Sequence, residues 1–142
     1  MKIAIFSDSF LPQINGVVTH IIGTAQELTK KGHCVLIFAP KPHYGGKADI
    51  ASYPFSVFFL PSFPAMIYPD YRVAVLSLPK IMLEMRKFKP DIVHVMDPFT
   101  VCSEGIMAAK LMNIPIVITF HTFFMDRDFL KNVRLERGAA QP

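Results

Sequence analysis

The chain has 142 residues, 51% of them apolar and 18% charged, with a formal net charge of +4. This length and composition define one globular domain with its own core and exclude a disordered chain. The mildly basic balance suits an anionic partner (a phosphorylated ligand, a lipid head group or nucleic acid) without choosing among them, and no apolar run approaches the ~18 residues of a membrane span.

Residues 2–7 (KIAIFS) form a short apolar run that reads as a buried strand. The connection after it, from Asp8 to Gly16, exceeds the usual two to six residues and places a glycine where a helix begins. Residues 16–31 (GVVTHIIGTAQELTKK) then follow helical spacing, with Val17, Ile21, Ile22, Ala25 and Leu28 on one face. Lys30 and Lys31 suit the helix dipole, and Gly32 is placed to end the helix. His33–Ala39 is the second strand, stopped by Pro40, and Val57–Leu60 is the third.

Residues 61–72 carry three prolines and two tyrosines and read as a loop. A helix is expected over 74–88, with Pro79 in its first turn or at a kink, and Pro90 ends it. Residues 91–96 (DIVHVM) are a strand, 99–112 a helix and 114–120 (IPIVITF) the last clear strand. Strands that are near-continuously apolar and alternate with helices specify α/β architecture: a Rossmann-like parallel sheet with helices on both faces. In such sheets ligands bind at the carboxyl ends of the strands.

Three motifs fall at those ends. Asp8–Gly16 follows the first strand, Asp97-Pro98 the strand at 91–96, and His121-Thr122 the strand at 114–120. Gly16 lets a phosphate approach bare helix N–H groups, or it is an ordinary turn glycine beside a capping Asn15. His121 stands at the rim, where it can bind a sugar hydroxyl or phosphate, or bond a neighbouring carbonyl. Asp8 and Asp97 are candidates to orient hydroxyls or act as a base. His94 reads as a satisfied core group, and His20 and His33 as structural positions.

Other chemistries lack their motifs. There is no GxGxxG or GxxxxGK[ST], no GxSxG around Ser9, and no HxH or HExxH spacing among the five histidines, so no metal site is expected. Cys34 and Cys102 lie in apolar segments without CxxC spacing and read as buried thiols of a reducing compartment. Met1-Lys2 leads directly into a strand with no signal-peptide pattern, so a cytoplasmic location is expected.

The stretch 72–89 sets Arg72, Lys80, Arg86, Lys87 and Lys89 against one acid, Glu84. It is a candidate peripheral contact with an anionic membrane, through Lys80, Arg86, Lys87 and Lys89, or a sheet-covering helix with a solvated basic face. It has charge but no aromatic stacking platform, and no nucleic-acid partner is expected.

The combination F-x-P-x-x-x-G at 10–16, KGHCV at 31–35 and IPIVITFHT at 114–122 resembles the N-terminal domain of GT-B glycosyltransferases of family 4. Within that family it is most similar to lipid hexosyltransferases of the diacylglycerol glucosyltransferase and phosphatidylinositol mannosyltransferase type. The likeness runs from residue 2 to about 130, leaving 131–142 as a tail or the start of an interdomain linker.

The resemblance implies a retaining transfer of a hexose from a nucleotide sugar (UDP- or GDP-hexose) to a lipid or glycolipid acceptor, with no cofactor and no metal. It implies donor-diphosphate contacts at Gly16 and Val17, and catalytic roles for His121 and Asp97. It places Asp8, Pro12, Asn15 and Thr122 on the acceptor side. It also implies a C-terminal donor domain outside these residues, so that this chain carries half of a site and does not turn over alone. The alternative is a non-catalytic Rossmann-like module that binds an anionic ligand or a protein partner. A receiver-like signalling domain is disfavoured, because VFFLPSF at 57–63 offers no carboxylate to phosphorylate.

Overall fold

A computed structural model describes residues 1–42, 49–64, 66, 72–74, 77–97 and 99–121. In chain order the elements are β1 (Lys2–Ser7), α1 (Gly16–Lys30), β2 (Cys34–Pro40), β3 (Ser56–Leu60), β4 (Ser62–Pro64), β5 (Arg72–Ala74), α2 (Leu78–Phe88), β6 (Ile92–Met96), α3 (Thr100–Leu111) and β7 (Ile116–Thr119).

Five strands form one sheet in the order β3-β2-β1-β6-β7, and every pairing in it is parallel. The chain winds outward from β1 to β3, then crosses back to β6 and β7. The direction therefore reverses between β1 and β6, and the loops after these two strands flank the crevice where α/β sheets bind ligands.

Opposite winding directions place the helices on opposite faces. On one face Ile21 and Ala25 of α1 pack on Ile3, Ile5, Val35, Ile37, Ala39 and Met96. On the other, Ile81 and Met85 of α2 and Val101, Cys102, Ala108 and Ala109 of α3 pack on Ala4, Phe6, Phe38, Val93 and Val95. Phe6 and Phe38 stack at 4.5 Å between nearly parallel rings. Gly105 of α3 lies directly against Phe6: a Cβ there would be 2.5 Å from its ring. A glycine is needed at 105 because any side chain would overlap a fully buried aromatic.

The expected strands and helices are present, with local differences. Gly32 adopts a positive φ of 89° just past α1, as a terminating glycine does. Residues 61–72 are not all loop: β4 and β5 form an antiparallel pair. Arg72 fastens it, with Nε donating to Ser62 Oγ at 2.8 Å and Nη2 to the Ser62 carbonyl at 2.7 Å. The next helix consequently starts at Leu78 and not at 74, with Pro79 in its first turn. Cys34 is exposed at the start of β2, whereas Cys102 is buried as expected. Burial and the neighbouring Asp8 carboxylate push the Cys102 thiol far up, so it stays protonated. Among the described residues no helix is long and apolar enough to cross a membrane.

Candidate functional site

The loop after β1 is held by its own polar side chains. Ser7 Oγ donates to the Ser9 carbonyl at 2.6 Å, and Ser9 Oγ donates to Gln13 Oε1 at 3.0 Å. Asn15 closes the network: its Nδ2 donates to Ser9 Oγ at 3.1 Å, and its Oδ1 accepts from the Val18 amide at 2.9 Å. Asn15 is thus the N-cap of α1. Pro12 is exposed on this loop, and the peptide bond before it is cis.

With Val18 capped and Thr19 bonded to the Asn15 carbonyl, two donors remain at the helix start. Among the described residues the Gly16 and Val17 N–H groups have no acceptor. The space beside Gly16 is open, since a Cβ there would meet nothing within 4 Å. The fold does not require a glycine at this position. Two bare amides at the positive end of a fifteen-residue helix form an anion-receptive surface.

Asp8, expected on the acceptor side, is engaged by α3. Its Oδ1 accepts from Thr100 Oγ1 at 2.6 Å and the Val101 amide at 2.7 Å, and its Oδ2 from the Cys102 amide at 3.2 Å. The carboxylate is buried and caps the N-terminus of α3, whose preceding residue, Phe99, makes no side-chain cap. Asp8 ties β1 to α3 across the switch point.

Asp97 and His121 meet. Asp97 turns the chain after β6 with a φ of 63°, a left-handed conformation that aspartate tolerates better than most residues. Its amide donates to the Thr119 carbonyl at 3.0 Å, and its Oδ1 accepts from the His121 amide at 2.7 Å. The loops after β6 and β7 are thereby joined. The ring of His121 lies edge-to-face with that of His20 of α1, centroids 4.9 Å apart. His121 Nε2 is buried with no hydrogen-bond partner among the described residues. A buried polar atom without a partner is costly, and this one lies at the strand-end crevice.

Behind this pair His94 Nε2 bonds Thr119 Oγ1 at 2.7 Å, which satisfies it as expected, although it is only half-buried. Burial, followed by the nearby charges of His20 and His121, lowers the His94 pKa. Among the described residues no cluster of His, Cys, Asp or Glu could hold a metal ion.

Gly16, Val17, Asp97 and His121 thus share one rim, because His20 follows Gly16 by about one helical turn and touches His121. His20, read from sequence as structural, belongs to this group. Thr122 lies outside the described residues. Lys80, Arg86, Lys87 and Lys89 are all exposed, and Lys87 pairs with Glu84 at 2.8 Å. The apolar face of α2 is engaged in the core through Ile81 and Met85, so these cations stand on its outer surface.

A five-stranded parallel sheet covered by helices on both faces defines a Rossmann-like α/β domain. The sequence model of Glycosyltransferase Family 4 matches residues 14–140, and the chain belongs to that family. It is 32% identical over 127 residues to an alpha-monoglucosyldiacylglycerol synthase of Streptococcus pneumoniae, covering 89% of this chain and 28% of that protein. It is 35% identical over 128 residues to the protein of the same name from Acholeplasma laidlawii, covering 89% and 31%. A GDP-mannose-dependent alpha-mannosyltransferase of Corynebacterium glutamicum is 28% identical over 123 residues, covering 86% and 29%. The chain therefore spans under a third of the length of these relatives.

Proposed function

We propose that this domain is the acceptor-side half of a retaining glycosyltransferase that moves a hexose from a nucleotide sugar to a lipid or glycolipid acceptor. The observation that carries the reading is the juxtaposition of two unpartnered helix amides with a buried, unpartnered imidazole nitrogen on one rim. The donor diphosphate needs anion stabilisation as the glycosidic bond to it breaks, and the Gly16 and Val17 amides supply it without a metal. The donor sugar needs a hydrogen-bonding group that fixes its orientation, and His121 Nε2 supplies that. Asp97 anchors the backbone of His121 and so holds it at the rim. Asp8 and Asn15 keep the loop in shape, leaving Pro12 and the open floor beside Gly16 to face the acceptor.

Relatives named alpha-monoglucosyldiacylglycerol synthase and GDP-mannose-dependent alpha-mannosyltransferase support a lipid acceptor and a nucleotide sugar. A donor domain beyond these residues completes the site, so the 142-residue chain binds but does not turn over alone. The exposed cations of α2 bring the domain to the cytoplasmic face of an anionic membrane.

The test is a transfer assay on the protein that carries this domain together with its donor domain. Labelled UDP- and GDP-hexoses are offered with diacylglycerol or phosphatidylinositol vesicles. A glycolipid that keeps the α configuration of the donor is the expected product. An inverted product, or no transfer with any donor, removes the reading and leaves a ligand-binding module. Co-sedimentation of the same protein with neutral and anionic vesicles tests the membrane contact, and equal binding to both removes it.

A further inference from the structure

We propose that His20 is a positioning residue for His121: its ring holds the His121 imidazole in register with the N-terminus of α1. The inference rests on the reading that His121 works on the donor sugar. His121 is fixed at two points. Its backbone amide is clamped by Asp97 Oδ1 at 2.7 Å, which sets where the residue leaves the sheet. That clamp leaves the side-chain torsions free. The only ring contact described for His121 is the edge-to-face one with His20, at 4.9 Å and an interplanar angle of 67°. Aromatic pairs at this distance and tilt are attractive and directional.

His20 is itself oriented, because its Nε2 lies 3.5 Å from Thr24 Oγ1 one turn further along α1. The helix that presents the Gly16 and Val17 amides therefore also sets the angle of the imidazole. One rigid element registers the group for the phosphates against the group for the sugar. Without the His20 ring, the His121 imidazole could rotate away, and a misplacement of about 1 Å is enough to cost orders of magnitude in rate. His20 is exposed and contributes little to the core, so its removal separates positioning from stability.

The experiment compares His20→Ala, His20→Phe and His20→Gln in two arms. The first needs no activity: the imidazole resonances of His121 are followed by NMR in the 142-residue chain. His20→Ala and His20→Gln are expected to shift and broaden them while the backbone amide spectrum of the sheet is retained. His20→Phe, which keeps an aromatic edge, preserves a narrow signal. Unchanged His121 resonances in His20→Ala overturn the proposal.

The second arm measures transfer by the protein with its donor domain. His20→Ala and His20→Gln are expected to lower kcat about tenfold with little change in KM, and His20→Phe to recover most of it. A displaced His121 signal with an unchanged kcat overturns the positioning role. If the wild-type protein transfers no sugar, the functional reading fails, and the His20–His121 coupling is still decided by the first arm.

Discussion

The Asp8 carboxylate accepts the Val101 amide at 2.7 Å, so a side chain on the first loop completes a helix 93 positions later. Three donors converge on that carboxylate in a buried setting. Asp8→Ala removes the cap and leaves those donors unsatisfied. We expect a loss of about 2–3 kcal/mol, more than an exposed cap would cost. Asp8→Asn keeps one acceptor oxygen and costs less. Urea unfolding of the chain reads both, and a change under about 0.5 kcal/mol for Asp8→Ala would show that the cap is dispensable.

Gly16→Ala gives the opposite pattern. The added Cβ meets nothing, so stability is unchanged or slightly higher, alanine being the better helix former. On the proposed function, the same methyl stands where the donor diphosphate would approach the amides, and transfer by the protein carrying this domain and its donor domain is expected to fall about tenfold or more. Unimpaired transfer at unchanged stability would take the diphosphate away from this helix.

Much of the architecture was legible because the sheet strands, such as IVHVM and IVIT, are near-continuously apolar and adjoin Pro or Asp. The β4–β5 hairpin was not, since three-residue strands beside Pro61, Pro64 and Pro69 leave no alternating pattern. Strand–helix alternation was enough to bring Gly16, Asp97 and His121 to one rim. It could not show that Asp8 is engaged by α3 or that His20 meets His121, because both are contacts between distant segments without local periodicity. Cys34 was misread for a simpler reason: an apolar strand can begin in solvent.

His94 makes stability depend on pH. Its pKa in the folded protein is lowered from 6.5, first by burial and then by the His20 and His121 charges. The unfolded chain therefore binds this proton more readily, and stability is full above about pH 6.5 and declines as pH falls through the lowered value. Acidification from pH 7.5 to 5.5 is expected to destabilise the wild type more than His94→Gln. Parallel denaturation midpoints for the two proteins across that range would exclude His94 as the source.

Gly105→Ala tests the opposite face. Its Cβ would sit 2.5 Å from the Phe6 ring, which is already stacked on Phe38. Overpacking costs about 1–3 kcal/mol and outweighs the ~1 kcal/mol that alanine adds to a helix, so net destabilisation is expected. Phe6→Leu in the same chain makes room and should recover part of it. Thermal unfolding of the two variants and their combination decides the matter, and additive losses would show that the overlap is relieved elsewhere.

Strand β1 pairs on one flank with residues 34–38 and on the other with 92–96. A growing polypeptide can close the first pairing early, but β1 keeps a bare flank until the second partner has been synthesised. Joining such distant segments is the slow, entropically opposed part of assembly. The rim that carries Gly16, Asp97 and His121 comes into being only with that closure. On the proposed function, a ligand seated in this crevice would favour the joined β1, β6 and β7 and act as a clasp on the closed sheet.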